Sequence, residues 1–68
     1  KYHLKDYEGA IDNFNRVLEF KPDYAEVFYF RGYAKFDSGD KEAACSDWRK
    51  ALDMGYAQAQ QKIEENCN

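Results

Sequence analysis

Residues 6–18, DYEGAIDNFNRVL, and residues 40–52, DKEAACSDWRKAL, decide the architecture, because the second stretch repeats the first at an interval of 34 residues. Asp6, Glu8, Ala10 and Leu18 fall on the identical Asp40, Glu42, Ala44 and Leu52, and Phe14 falls on Trp48. A period between about twenty and fifty residues marks a repeat architecture, in which each unit buries its apolar face only by stacking on a neighbour. Function in such a chain is expected on a stacked surface and not in a catalytic pocket.

Both copies read as amphipathic helices. Tyr7, Ala10, Ile11, Phe14, Val17 and Leu18 recur at spacings of three and four, as do Ala44, Cys45, Trp48, Ala51 and Leu52. Asp6 and Asp40 open the two segments, where a short carboxylate accepts from the first unpaired backbone donors and offsets the helix dipole. Between the copies, Lys21-Pro22-Asp23 stops one helix, since proline disfavours helical geometry in the residue before it, and Gly39 suits the left-handed conformation that ends the next. Helices are therefore expected at 6–20, 24–37, 40–53 and 56–66, joined by the short turns that antiparallel neighbours need. Val27 to Phe30 is the best strand candidate, yet it lies inside a longer helical pattern with Tyr24, Phe28, Gly32 and Phe36.

Phe28, Arg31 and Gly32, followed by Ala44, Trp48 and Ala51, and Ala10, Phe14 and Pro22 one period earlier, together resemble the tetratricopeptide repeat, a helix-turn-helix unit of 34 residues. The resemblance implies an all-α fold of antiparallel helix-turn-helix repeats forming an α-α superhelix. It divides the chain into a partial first repeat (1–23), a complete repeat (24–55) and a capping helix (56–68). In that fold the small Gly32 and Ala44 let two helices approach closely, and Phe28 and Trp48 fill the space beside the contact. Arg31 and Lys35 stand where the family usually has a leucine and a tyrosine, leaving more charge beside that contact. Lys5 stands where Gly39 supplies the inter-helix turn, and Tyr56 replaces the usual proline. With Gly55, that last change makes the final helix a polar cap, with Gln58, Gln60, Gln61, Lys62, Glu64 and Glu65 on its wet face. By register Lys1 matches Lys35, so the chain is expected to be the C-terminal piece of a longer solenoid that starts late in a first-unit helix. The face of the helix over 6–20 carrying Tyr7, Ile11 or Phe14 is then expected to be exposed, and to promote homo-oligomerisation or marginal stability.

Composition agrees with one small domain. A chain of 68 residues buries only about 60% of its unfolded surface, enough for a single modest core. Hydrophobic content of 44% and aromatic content of 18% exceed what a disordered chain of this charge carries. A net charge of −3 argues against nucleic acid as a partner. No segment approaches the roughly 20 apolar residues that span a bilayer, so no membrane partner is expected.

On the last helix Tyr56, Ala59, Ile63 and Cys67 form one stripe, while Cys45 shares a face with Lys41, Trp48 and Leu52. At 1.5 Å per residue from the turn near Gly55, Cys45 lies about 12 to 15 Å up one helix and Cys67 about 15 to 18 Å up the other. If their Cα atoms approach within about 7 Å, a disulfide closes a loop worth roughly 3 kcal/mol in the entropy model. The alternative is two buried thiols acting as small hydrophobes. A bridge implies an exported or periplasmic setting; reduced thiols fit cytoplasm equally well.

Catalytic readings find no support. His3 is the single histidine and has no acid partner or serine motif in the sequence, which leaves it a solvated helix residue. His3, Cys45 and Cys67 lack the paired short spacings of structural zinc, no glycine-rich phosphate loop exists, and no cofactor is expected. Surface acids such as Asp6, Glu8, Asp12, Glu64 and Glu65 read as solubilising. The expectation is therefore non-catalytic: a protein–protein interaction module.

In the resembled family the first helix of each unit lines a concave groove for peptides, here from about Tyr24 to Asp37. Glu26, Tyr29, Tyr33 and Phe36 or Asp37 form one stripe of it and are the candidate peptide-binding residues. The competing reading has these rings packing against the preceding unit. Family members that hold acidic chaperone tails use a lysine, asparagine and arginine clamp, whereas Glu26 and the tyrosines here favour an apolar or basic segment. The second functional reading is a structural terminus that caps a longer solenoid or mediates self-association.

Overall fold

In the computed structural model, which describes residues 7–67, four helices follow one another: α1 (Tyr7–Phe20), α2 (Ala25–Asp37), α3 (Lys41–Asp53) and α4 (Gln58–Asn66). No strand is present among the described residues, and Val27 to Phe30 lies within α2. Each helix packs on the next, with α2 against α3 the most extensive pairing. The fold is an all-α stack of helix-turn-helix units.

The turns follow from backbone chemistry. Asp40 caps α3, its carboxylate accepting from the Ala43 N–H at 3.3 Å. Asp6, expected to do the same for α1, lies outside the described residues, as does His3. Gly39 (φ 102°) and Gly55 (φ 100°) take left-handed conformations that L side chains resist. The chain reversal at each closes by the same two bonds. Asp40 N–H donates to the Lys35 carbonyl (2.8 Å) and Gly39 N–H to Phe36 (3.1 Å), while Tyr56 N–H donates to Ala51 (3.0 Å) and Gly55 N–H to Leu52 (2.9 Å). These bonds satisfy carbonyls that the helix ends leave without partners.

The core lies between α2 and α3 and extends under α4. Trp48, Ala44 and Ala51 of α3 and Ala59 of α4 are fully buried, with Tyr29 and Cys45 beside them, and Ala34 of α2 is buried as well. Trp48 is the largest fully buried side chain, and its indole N–H donates to the Tyr29 carbonyl at 3.1 Å. Gly32 makes room for the indole: a Cβ there would meet Trp48 Nε1 at 2.6 Å, Trp48 Cδ1 at 2.8 Å and the Ala44 carbonyl at 3.1 Å. Tyr33 and Phe36 set their rings 5.9 and 5.6 Å from the indole, and Phe28 of α2 and Tyr56, Ile63 and Cys67 of the last segment pack against the same core. By contrast, α1 buries no residue; Tyr7, Ile11 and Phe14 are half-buried, and Phe20 is 93% exposed.

The Gly32 contact yields a test. Alanine is the better helix former by about 1 kcal/mol, but overpacking a filled core costs about 1–3 kcal/mol, and a buried indole and a backbone carbonyl have nowhere to move. Gly32→Ala is therefore expected to destabilise the fold by about 1–2 kcal/mol, read as a lowered urea midpoint at unchanged slope.

Candidate functional site

α1 and α2 enclose an apolar cavity of about 280 Å³ lined by Phe14 from α1 and by Phe30, Tyr33, Ala34 and Asp37 from α2. Positions 30, 33, 34 and 37 are spaced by three, four and seven, so one face of α2 supplies them all. Phe30 stays 46% exposed and Asp37 is exposed, which leaves the cavity an apolar floor with a carboxylate on its wall.

The expected stripe divides. Tyr33 and Asp37 line this cavity. Glu26 is exposed in the first turn of α2, away from the lining. Tyr29 departs from its expected role: only 8% exposed, it places its ring 4.9 Å from Tyr56 and 5.3 Å from Tyr33, in the core. The cause is the last segment, which brings Tyr56 over it. Phe36 is half-buried with its ring 5.6 Å from Trp48, so its packing too is largely internal. Phe14, Phe30 and Ala34 were missed as lining residues. The spacing of Phe30, Ala34 and Asp37 marks this face of α2 in the sequence, next to the stripe that carries the tyrosines.

Polar groups fix α2 from both sides. Arg31 donates to both Asp47 carboxylate oxygens at 2.8 Å and to Asn15 Oδ1 at 2.6 Å, and Lys35 Nζ lies 3.2 Å from Asp47. The Arg31 guanidinium also sits 5.2 Å from the centroid of the Phe28 ring. The charge expected beside the helix contact is thus gathered on one buried acid of α3, and Arg31 extends the network from it to Asn15 of α1. Asp47 was not picked out from the sequence, although it shares the inward stripe of Ala44, Trp48 and Ala51. On the other side, Lys62 Nζ of α4 lies 4.7 Å from the Tyr33 ring centroid, and the Tyr33 ring meets that of Tyr29 edge-on at 5.3 Å. The Lys62 ammonium beside it, above all, holds the Tyr33 hydroxyl below the usual tyrosine range, Tyr33 in turn raises Lys62, and burial above all pushes Tyr29 up to about 12.

Stacked helical hairpins with an open apolar cavity and no cluster of metal-ligating side chains among the described residues define a helical-repeat scaffold. Among those residues, no helix is long and apolar enough to cross a membrane. A family model described as TPR repeat matches residues 1–39, more than half of the chain, and a second, described as Tetratricopeptide repeat, matches residues 25–54. The chain belongs to the tetratricopeptide repeat family, whose repeats generally mediate protein–protein interaction. It is 26% identical over 76 aligned positions to the small glutamine-rich tetratricopeptide repeat-containing protein 2 of Saccharomyces cerevisiae, an alignment covering 96% of this chain and 22% of that protein. The chain thus spans about a fifth of the length of that curated relative. No solved structure matches it.

Two tests follow from the polar groups. Asp47→Ala leaves Arg31 and Lys35 without their carboxylate in a largely desolvated place and is expected to cost about 2–3 kcal/mol. Asp12→Ala, which breaks the exposed Arg16–Asp12 pair on α1, is expected to stay within about 0.5 kcal/mol; paired urea melts compare the two. Because the Tyr29 value is raised in the fold, the stability it contributes is complete below pH 10 and falls as pH climbs from 10 towards 12. Tyrosinate absorbance should show a late-titrating ring that Tyr29→Phe removes, with Tyr33 ionising earlier.

Proposed function

We propose that this chain is a non-catalytic protein-interaction module that holds an apolar peptide segment carrying basic residues against the cavity between α1 and α2. The observation that carries this reading is the pairing of an apolar floor, Phe14, Phe30 and Ala34, with the acid Asp37. An apolar side chain of the partner displaces water from the floor, and a lysine or arginine beside it meets Asp37, with Glu26 adding weaker, salt-screened attraction from the far, N-terminal end of α2. Tyr33 contributes ring area with few rotors to freeze. Tyr29 and Phe36 act indirectly, by packing behind the surface. A net charge of −3 favours the same partner chemistry and disfavours nucleic acid.

In this reading residues 24–55 form a complete repeat and 56–68 a cap, the latter also serving as the structural terminus of a longer solenoid. The cap role draws support from the outer face of α4, where Gln60 donates to Glu64 (3.1 Å) and Gln61 to Glu65 (3.0 Å) in exposed pairs along the helix. The bridge between Cys45 and Cys67 supports an oxidising setting.

Titration with a short Leu- and Lys-rich peptide, followed by amide shifts, tests the assignment. Perturbations should centre on Phe14, Phe30, Tyr33 and Asp37, and Asp37→Lys should weaken binding about fivefold. An acidic peptide of the same length binding equally well, or perturbations confined to α3, would refute it.

A further inference from the structure

In the 34-residue register α4 is the counterpart of α2, yet the two helices offer their neighbours different surfaces. Val27, Phe28 and Phe30 of α2 fall on Gln61, Lys62 and Glu64 of α4. Ile11 of α1 and Tyr33 of α2 fall on Cys45 and Cys67. Where the α1–α2 junction has a branched aliphatic chain and an aromatic ring, the α3–α4 junction has two small side chains joined by a disulfide, their Cα atoms 5.8 Å apart. Besides the bridge, Ala59, Ile63 and the Lys62–Tyr33 contact hold α4 on the stack. The helix spans nine residues, buries only Ala59 among them, and its N-cap Ala57 makes no side-chain capping bond. Helices shorter than about 12 residues are marginal without tertiary support.

The bridge borders an open cavity on its Cys67 side, while Cys45 itself is only 7% exposed. Cys45 and Cys67 line that cavity, of about 380 Å³, together with Lys41, Glu42, Arg49 and Asn66. Lys41 and Arg49 outnumber Glu42 there, and positive charge beside a disulfide stabilises the thiolate that leaves when it is attacked. The face under α4 is aromatic, with Tyr56 packed on Tyr29 and Lys62 over Tyr33. α2 and α3 also have contacts of their own: Trp48 sits against Gly32, and Asp47 is bonded by Arg31 and Lys35.

We infer that α4 is a redox-controlled lid: reduction of the Cys45–Cys67 bond by a dithiol entering beside Lys41 and Arg49 frees α4 from α3 and uncovers Tyr29 and Tyr33, while α2 and α3 stay packed. In the first step a thiolate of the reductant bonds to one bridge sulfur and the other leaves as thiolate. In the second, the remaining thiol of the reductant, as thiolate, attacks its own sulfur in the mixed disulfide and expels the second cysteine. Two electrons pass to the protein, the dithiol becomes a disulfide, and its two protons end on Cys45 and Cys67.

Hydrogen exchange of the oxidised protein with and without dithiothreitol tests this. Exchange of the protected amides in Gln58–Asn66 should quicken by roughly 100-fold on reduction, with α2 and α3 unchanged. The double variant Cys45→Ala with Cys67→Ala should exchange fast in α4 under both conditions. Equal protection of α4 with and without reductant, protection surviving in the double variant, or loss spreading through α2 and α3 would each overturn the lid.

Discussion

The close approach of α2 and α3 at Gly32 governs the rest of the structure. A helix can accept a buried indole against its backbone only where it presents no Cβ, and here Trp48 fills that space and anchors itself by donating to the Tyr29 carbonyl. The fully buried Ala44 and Ala51 flank Trp48 on its own helix, so small residues set the distance and one large ring fills what remains. Tyr33 and Phe36 then arrange themselves around the indole, and the face of α2 turned towards α1 is placed as a consequence. The cavity between α1 and α2 thus owes its shape to a contact on another side of the same helix.

Charge reinforces that placement. Burying Asp47 is unfavourable by itself, yet Arg31 meets it with two parallel bonds and Lys35 with a third contact, so the desolvated acid is fully partnered. Arg31 also reaches Asn15 of α1. Where an all-apolar contact would tolerate sliding, this fork accepts one register of α2 against α3, and it ties α1 to the same reference point. The family resemblance implies only that Arg31 and Lys35 leave more charge beside the helix contact; in the fold that charge is paired with Asp47.

The two ends of the stack differ in how they meet solvent. α1 buries nothing fully and leaves Phe20 and part of Val17 exposed, whereas α4 turns glutamines and glutamates outward and is tied down by a covalent bond. The apolar cavity beside α1 and the polar outer face of α4 share one core. Tyr33 links them, lining the cavity and lying beneath the Lys62 ammonium of α4.

The chain by itself determined where its helices begin and end. Proline, the two left-handed glycines and the Asp40 cap act over a few bonds, and helix periodicity follows from a spacing that needs no partner. The repeat signature and the need for Gly32 beside Trp48 were legible for the same reason, since a small residue and a large one at matched positions imply each other. Only the tertiary structure decided which aromatic rings face inward. Tyr29 and Tyr33 lie on one stripe of α2, and nothing local separates them; the arrival of Tyr56 over the first and the gap beside Phe14 at the second does. The pairing of Arg31 and Lys35 with Asp47 was hidden likewise, because attraction between charges sixteen and twelve residues apart depends on how two helices rotate about their axes, and packing sets that rotation.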